Sequence, residues 1–201
     1  MLKMKTALEN AGYSVFNCNY PSRKQPIELL SVNTIAQAIE HCLEKYHPAR
    51  IHFVTHSMGG IMVRYYLSQH SVPELGRVVM LGPPNAGSEL VDHLSGYQLF
   101  ALINGPAGKQ LGTEPSSLPN SLGSVDYEVG IIAGNKNLNL LSSMLIPGDH
   151  DGRVSTQSAR LEGMADFILL RCSHSFMMNR QDVIQQTLHF LAQGHFYLKA
   201  K

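Results

Sequence analysis

The chain has 201 residues, 44% of them hydrophobic and 15% charged, with a formal net charge of +1. That apolar content supports a sizeable core and excludes a disordered chain, and a balance without a basic stripe or acidic tail excludes a nucleic-acid binder. The length fits one domain over residues 1–201. Three widely spaced cysteines, Cys18, Cys42 and Cys172, argue against a disulfide framework and for a reducing compartment, so a cytoplasmic location is expected. No apolar run reaches the ~18 residues of a membrane span. No leader opens the chain, although an in-frame extension upstream of Met1 would reopen its location.

In chain order, a first helix is expected from about Leu2 to Asn10, stopped by Ala11-Gly12. Tyr13 to Asn19 has the composition of a strand, closed by Tyr20-Pro21-Ser22. A long helix follows from about Val32 to Tyr46, with Ile35, Ala38, Ile39 and Cys42 on one face. It ends before Pro48, because the residue preceding a proline is pushed out of helical geometry. A strand over Arg50 to Val54 leads into a helix from about Gly59 to Gln69, and Arg77 to Leu81 forms the next strand.

Residues Gly87 to about Val125 leave this rhythm. A short amphipathic piece, Leu90 to Leu102, precedes a Gly/Pro/Ser-rich stretch from Gly105 to Ser124, which reads as a cap or an irregular loop. Tyr127 to Ala133 returns to strand, Pro147 to Gly152 is a turn-rich loop, Phe167 to Cys172 is the last strand, and Arg180 to Gln193 the closing helix. Apolar runs alternating with amphipathic ones imply an α/β fold with a mostly parallel, doubly wound sheet.

Candidate chemistry begins at Val54-Thr55-His56-Ser57-Met58-Gly59-Gly60, a serine between an apolar strand and a helix. This context matches a nucleophile elbow, usually Gly-x-Ser-x-Gly. Gly59 supplies the small residue expected where strand and helix approach closely, while Thr55 departs from the first glycine. A serine hydroxyl needs a base, and the base needs an acid to orient it, in the chain order serine, acid, histidine. His174 fits the base because it follows the last strand, although a polar-loop histidine in Ser173-His174-Ser175 is the plainer reading for one of ten histidines. Asp151 in Asp-Gly-Arg-Val is the preferred acid, since the glycine permits a tight turn; Asp149 is the alternative. A metal at Asp149-His150-Asp151 is disfavoured, because adjacent residues seldom converge on one ion, and no cofactor is expected.

The Met58 amide, at a helix N-terminus just after the serine, is a candidate donor to an oxyanion. His41, His70 and His189 read as helix-associated surface residues. His56 touches the site without a role in proton transfer. Met177 and Met178 read as packing, or as the lining of an apolar acyl pocket.

Thr55 to Gly60, Leu81 to Ser88 (Leu-Gly-Pro-Pro-Asn-Ala-Gly-Ser), Asp151 to Val154 and Ser173-His174 together resemble the lipase-like bacterial α/β-hydrolases, in that family's order. The resemblance implies an esterase or lipase reaction on a small-molecule or lipid ester, with Ser57 as nucleophile, His174 as general base and Asp151 orienting it. It also implies that Pro84 to Ser88 leaves the sheet toward the mouth of the site. Family members carry up to three further strands in front, and the third, bearing a His-Gly oxyanion loop, lies between those matching Tyr13–Asn19 and Ile51–Val54. The chain therefore reads as N-terminally incomplete, and either those two strands pair directly or the middle of the sheet is open. The alternative function is a non-catalytic remnant that serves as a binding module or is a truncated product.

Overall fold

The computed structural model describes residues 1–94, 105–137 and 140–197. Four parallel strands, β1 (Ile51–His56), β2 (Leu75–Leu81), β3 (Val129–Gly134) and β4 (Asp166–Leu170), form one sheet in the order β1-β2-β3-β4. Helices α1 (Leu2–Asn10), α2 (Ile27–Tyr46), α3 (Met58–Gln69) and α4 (Glu89–Leu94) come first in the chain. Two short helices follow, α5 (Leu118–Ser121) and α6 (Leu140–Leu145), and α7 (Gln181–Gln193) closes it. Residues 105–109 are also helical.

The sheet is covered on both sides, and β2 and β3 show how. Val78, Met80, Val129 and Ile131 point to one face, where Ile35 and Ile39 of α2 and Val63 and Tyr66 of α3 bury them. Val79, Leu81 and Ile132 point to the other, against Met4 and Leu8 of α1 and Val183, Ile184, Phe190 and Leu191 of α7. Side chains alternate across a strand, so a strand buried on both faces must be apolar throughout. Val78-Val79-Met80-Leu81 meets that demand with every side chain buried. The doubly wound α/β architecture expected from sequence is present.

Most boundaries lie within two residues of the sequence reading; outside the excursion after β2, three differences are larger. The long helix starts at Ile27, five residues before Val32. Pro26 stands at its N-cap with extended dihedrals, and Glu28 lies in the first turn, where a carboxylate complements the helix dipole. Helix α6 lies where no element was expected. The third difference is Tyr13–Asn19, which is not a strand. Tyr13 and Val15 pack on the α1–α7 side of the core, so the apolar pattern is real, but the backbone has no ladder. Cavities of about 370 and 310 Å³ are lined by Phe16 and Asn17 of this segment and by Ile51, His52 and Val54 of β1, and the Tyr13 ring meets that of His52 edge-on. Direct pairing of the two segments does not occur. Among the described residues, the outer edge of β1 has no paired strand.

The excursion after β2 is a cover built from short helices. Val91 of α4 with Ala107 and Leu111 packs on Ile27, Leu30, Ile61 and Met62 of α2 and α3. Part of the amphipathic piece Leu90 to Leu102 falls outside the described residues. No helix among those described is long and apolar enough to cross a membrane.

Because all strands run the same way, their C-terminal ends share one rim, where ligands bind in open α/β sheets. Packing beneath that rim is tight: a Cβ built on Gly130 of β3 would overlap the Phe190 ring. Replacing Gly130 with alanine is therefore expected to destabilise the fold by about 1–3 kcal/mol through overpacking, read as a lowered midpoint in urea denaturation.

Candidate active site

Ser57 sits between β1 and α3, with φ 55° and ψ −127°. Positive φ is costly for a residue other than glycine, and the surroundings impose it. The Ser57 amide donates to the Leu81 carbonyl at the end of β2 (2.9 Å), while its own carbonyl accepts from Gly60 (3.0 Å). The tightest approach of helix to strand is at Gly60 rather than Gly59. A Cβ on Gly60 would stand 3.2 Å from both Met80 Sδ and Pro83 Cβ, whereas one on Gly59 would make an ordinary 3.6 Å contact with Thr55 Cβ. That spacing is why a threonine is accommodated at position 55.

His174 follows β4 and is 4% exposed; Asp151 lies in the loop between β3 and β4 and is 2% exposed. His174 Nδ1 donates to Asp151 Oδ2 across 2.8 Å, and His174 Nε2 lies 2.9 Å from Ser57 Oγ. A carboxylate only accepts, so the proton sits on Nδ1 and Nε2 is left to receive the serine hydroxyl hydrogen. The second carboxylate oxygen, Oδ1, accepts the amides of Arg153 and Val154, both at 2.9 Å, and Gly152 turns the chain between them at φ 101°. The His174 amide donates to the Asp151 carbonyl (2.9 Å). Asp149 is exposed, and its carbonyl accepts the amide of Thr156. Ser57, Asp151 and His174 are thus linked in one hydrogen-bonded chain, and Asp149 stands outside it. Met58, the first residue of α3, follows Ser57 directly.

Two contributors escaped the sequence reading. Gly82, after β2, has φ +53°, and a Cβ there would stand 2.9 Å from Asp151 Oδ2 and 3.2 Å from His174 Nδ1. It is the floor beneath the acid–histidine bond. Its signal was available in Leu81-Gly82-Pro83, a glycine ending an apolar strand. Arg64 of α3, 3% exposed, donates to the Asn85 carbonyl (2.9 Å) and to the Gly123 carbonyl (2.7 Å). Burial pushes its pKa down to about 10. Asn85 Nδ2 donates to the Ala159 carbonyl and Ser88 Oγ to that of Arg153. The segment after β2 is thereby tied to α3, the cover and the loop that carries Asp151. Nothing local in the sequence distinguishes Arg64 from a solvated helix arginine.

The remaining candidates fall as follows. Met177 is fully buried beneath Gly82 as part of the core, with Met178 half-buried beside it. His70 stacks on Tyr66 and His41 lies against Phe16. Among the described residues, no group of three His, Cys, Asp or Glu side chains is placed to hold a metal ion. Among the described residues, the cavity of about 310 Å³ beside β1 reaches the elbow at Thr55, His56 and Gly59.

A parallel sheet wrapped on both faces, with a strained serine at a strand–helix elbow, defines an α/β-hydrolase fold. Residues 29–160 match the model of the family described as alpha/beta hydrolase of unknown function (DUF915). The match covers more than half of the chain, and the chain belongs to that family. No curated protein matches the sequence. Among solved structures, the fold is similar to the mature form of the Bacillus licheniformis lipase BlEst2, with TM-score 0.70 and 20% identity over 94% of this chain and 80% of that one. The propeptide form of that lipase gives TM-score 0.74 and 20% identity over 99% of this chain and 48% of that one. The Legionella pneumophila phospholipase PlaB in complex with thio-NAD gives TM-score 0.72 and 18% identity over 95% of this chain and 54% of that one. The chain thus spans about half the length of two of these three structures.

Two outcomes test the geometry. Gly82→Ala must combine an unfavourable φ with a methyl pressed on the Asp151–His174 bond. It is expected to lower the rate of phosphonate labelling of Ser57 by about 10²-fold, the scale of a 1 Å misplacement. His56 is held down to about pKa 4, mainly by burial and then by His174. Arg153 also lowers it, while Asp151 and the bond to the His174 carbonyl raise it. A folded-state pKa below the unfolded value contributes stability that is present above pH 6.5 and lost as pH falls through 4. His56→Gln is therefore expected to show a shallower fall in Tm between pH 6.5 and 4 than the wild type.

Proposed function

We propose that this chain is a serine hydrolase of carboxylic esters that works through an acyl-enzyme at Ser57. The observation that carries the proposal is the run from Ser57 Oγ, partly buried, to His174 Nε2 and from His174 Nδ1 to the buried Asp151 Oδ2, at 2.9 and 2.8 Å. Ser57 Oγ attacks the ester carbonyl while His174 Nε2 takes its proton. The oxyanion of the tetrahedral intermediate accepts from the Met58 amide, at the positive end of α3. Collapse breaks the bond to the alkoxy group, which leaves as the alcohol with the proton from His174. Water then attacks the acyl-enzyme, gives a proton to His174, and releases the carboxylic acid as Ser57 recovers its hydrogen. The Asp151 carboxylate holds the Nδ1–H of His174 and stabilises the imidazolium. The structural neighbours include a lipase and a phospholipase, which supports the same class of substrate, a small-molecule or lipid ester.

The open outer edge of β1 and the cavities beside it favour a second reading, in which the fold serves as a binding module without turnover. One experiment separates the two. A fluorophosphonate probe is expected to label the wild type and leave Ser57→Ala unlabelled, while Asp151→Asn lowers turnover of a short acyl ester by about 10⁴-fold. Equal labelling of wild type and Ser57→Ala would sink the hydrolase.

A further inference from the structure

His56 is the last residue of β1, immediately before Ser57. Its Nε2 lies 2.9 Å from the backbone carbonyl of His174. A carbonyl only accepts, so Nε2 carries the hydrogen and His56 is the donor. The two imidazoles also lie against each other, with centroids 4.7 Å apart and planes at 48°.

The topology gives this contact its importance. Ser57 follows β1 and His174 follows β4, which are the two opposite edges of the sheet. Adjacent strands are spaced about 4.8 Å apart, so three steps separate their axes by roughly 14 Å. No ladder hydrogen bond joins those edges directly. Among the bonds of the described residues, His56 to the His174 carbonyl is a direct tie between the end of β1 and the loop after β4, independent of the bond to Ser57 itself. With it, the backbone of His174 is held on both sides of its Cα: its N–H donates to the Asp151 carbonyl, and its C=O accepts from His56.

We propose that His56 is a positioning residue, whose Nε2–H bond to the His174 carbonyl and ring contact set the reach of the His174 imidazole to Ser57 across the width of the sheet. The inference rests on the acyl-transfer reading above and adds to it a residue that does not touch the reacting atoms. His56 is uncharged at neutral pH, because burial and the neighbouring His174 and Arg153 outweigh Asp151 and the carbonyl bond. It therefore adds no positive charge beside His174 when that ring takes the serine proton. It passes no proton itself, since its one bonded hydrogen points at a carbonyl.

The test uses the full chain with His56→Phe, which keeps a ring and removes the donor, and His56→Gln, which keeps a donor and removes the ring. His56→Leu stands in for a Phe variant that does not fold. Three quantities are read: the rate of fluorophosphonate labelling, kcat and KM on a short acyl ester, and the ring nitrogen resonances of His174. His56→Phe is expected to label about 10- to 100-fold more slowly, in the range of an active-site misplacement. Its kcat should fall while KM changes by less than about 2-fold, and its His174 resonances should shift. His56→Gln should recover the rate to within about 3-fold and restore the resonances. Labelling of His56→Phe at the wild-type rate, or a Gln variant as slow as Phe, overturns the proposal. A wild type that does not label removes the hydrolase reading instead. The His174 resonances then decide the positioning role alone: a shift in Phe that Gln restores supports it, and unchanged resonances overturn it.

Discussion

The buried carboxylate of Asp151 is the constraint around which the rim of the sheet is arranged. A charge removed from water must be paired and hydrogen-bonded, or it costs several kcal/mol. Asp151 is satisfied by two amides of its own turn and by the His174 imidazole. Each partner comes at a structural condition. The amides require Gly152 at positive φ. The imidazole requires the loop after β4 to fold back toward β2. The space requires two residues without side chains, because a Cβ on Gly134 would meet both Cys172 and Asp151, and one on Gly82 would meet Oδ2. Asp149, two residues earlier and exposed, faces none of these demands.

What was legible in the sequence was whatever a short window of residues dictates. A strand, a serine and two glycines are contiguous from Ile51 to Gly60, so the elbow could be read directly. Asp151 announced its turn through Gly152, and His174 its position by following an apolar run. The parallel sheet was legible because β2 and β3 need apolar side chains on both faces. Tyr13–Asn19 was misread for the complementary reason. An apolar pattern reports burial, and Tyr13 and Val15 are indeed packed, but a strand also needs a neighbour's backbone, which no local pattern supplies. Gly82, Arg64 and His56 share that limit. Each acts on residues distant in the chain: Gly82 on Asp151, Arg64 on Gly123, His56 on His174.

The same distinction explains how a four-stranded sheet unites groups from both its edges. Ladder pairing aligns neighbours, as Val79 beside Gly130 or Ile132 beside Ile168, but it governs only one step at a time. Bringing Ser57 Oγ, just after β1, to within 2.9 Å of His174 Nε2 in the loop after β4 requires loops that fold inward over β2 and β3. Those loops are held by side chain–backbone bonds, from Asp151 to its own turn and from Ser88 to Arg153. The sheet supplies a rigid base, and the loops are stapled to it individually.

Arg64 makes the cover and α3 a single unit in one further respect. Its guanidinium stays charged, lies under the chain at Asn85 and Gly123, and donates to their carbonyls in place of water. If the stretch near Gly123 lifts, that charge can be re-solvated only by water entering beneath it, against the flank of α3. Opening the cover and wetting the helix that follows Ser57 are then one event rather than two. The cover and the flank of α3 are therefore coupled through one buried cation, seven residues along the chain from Ser57.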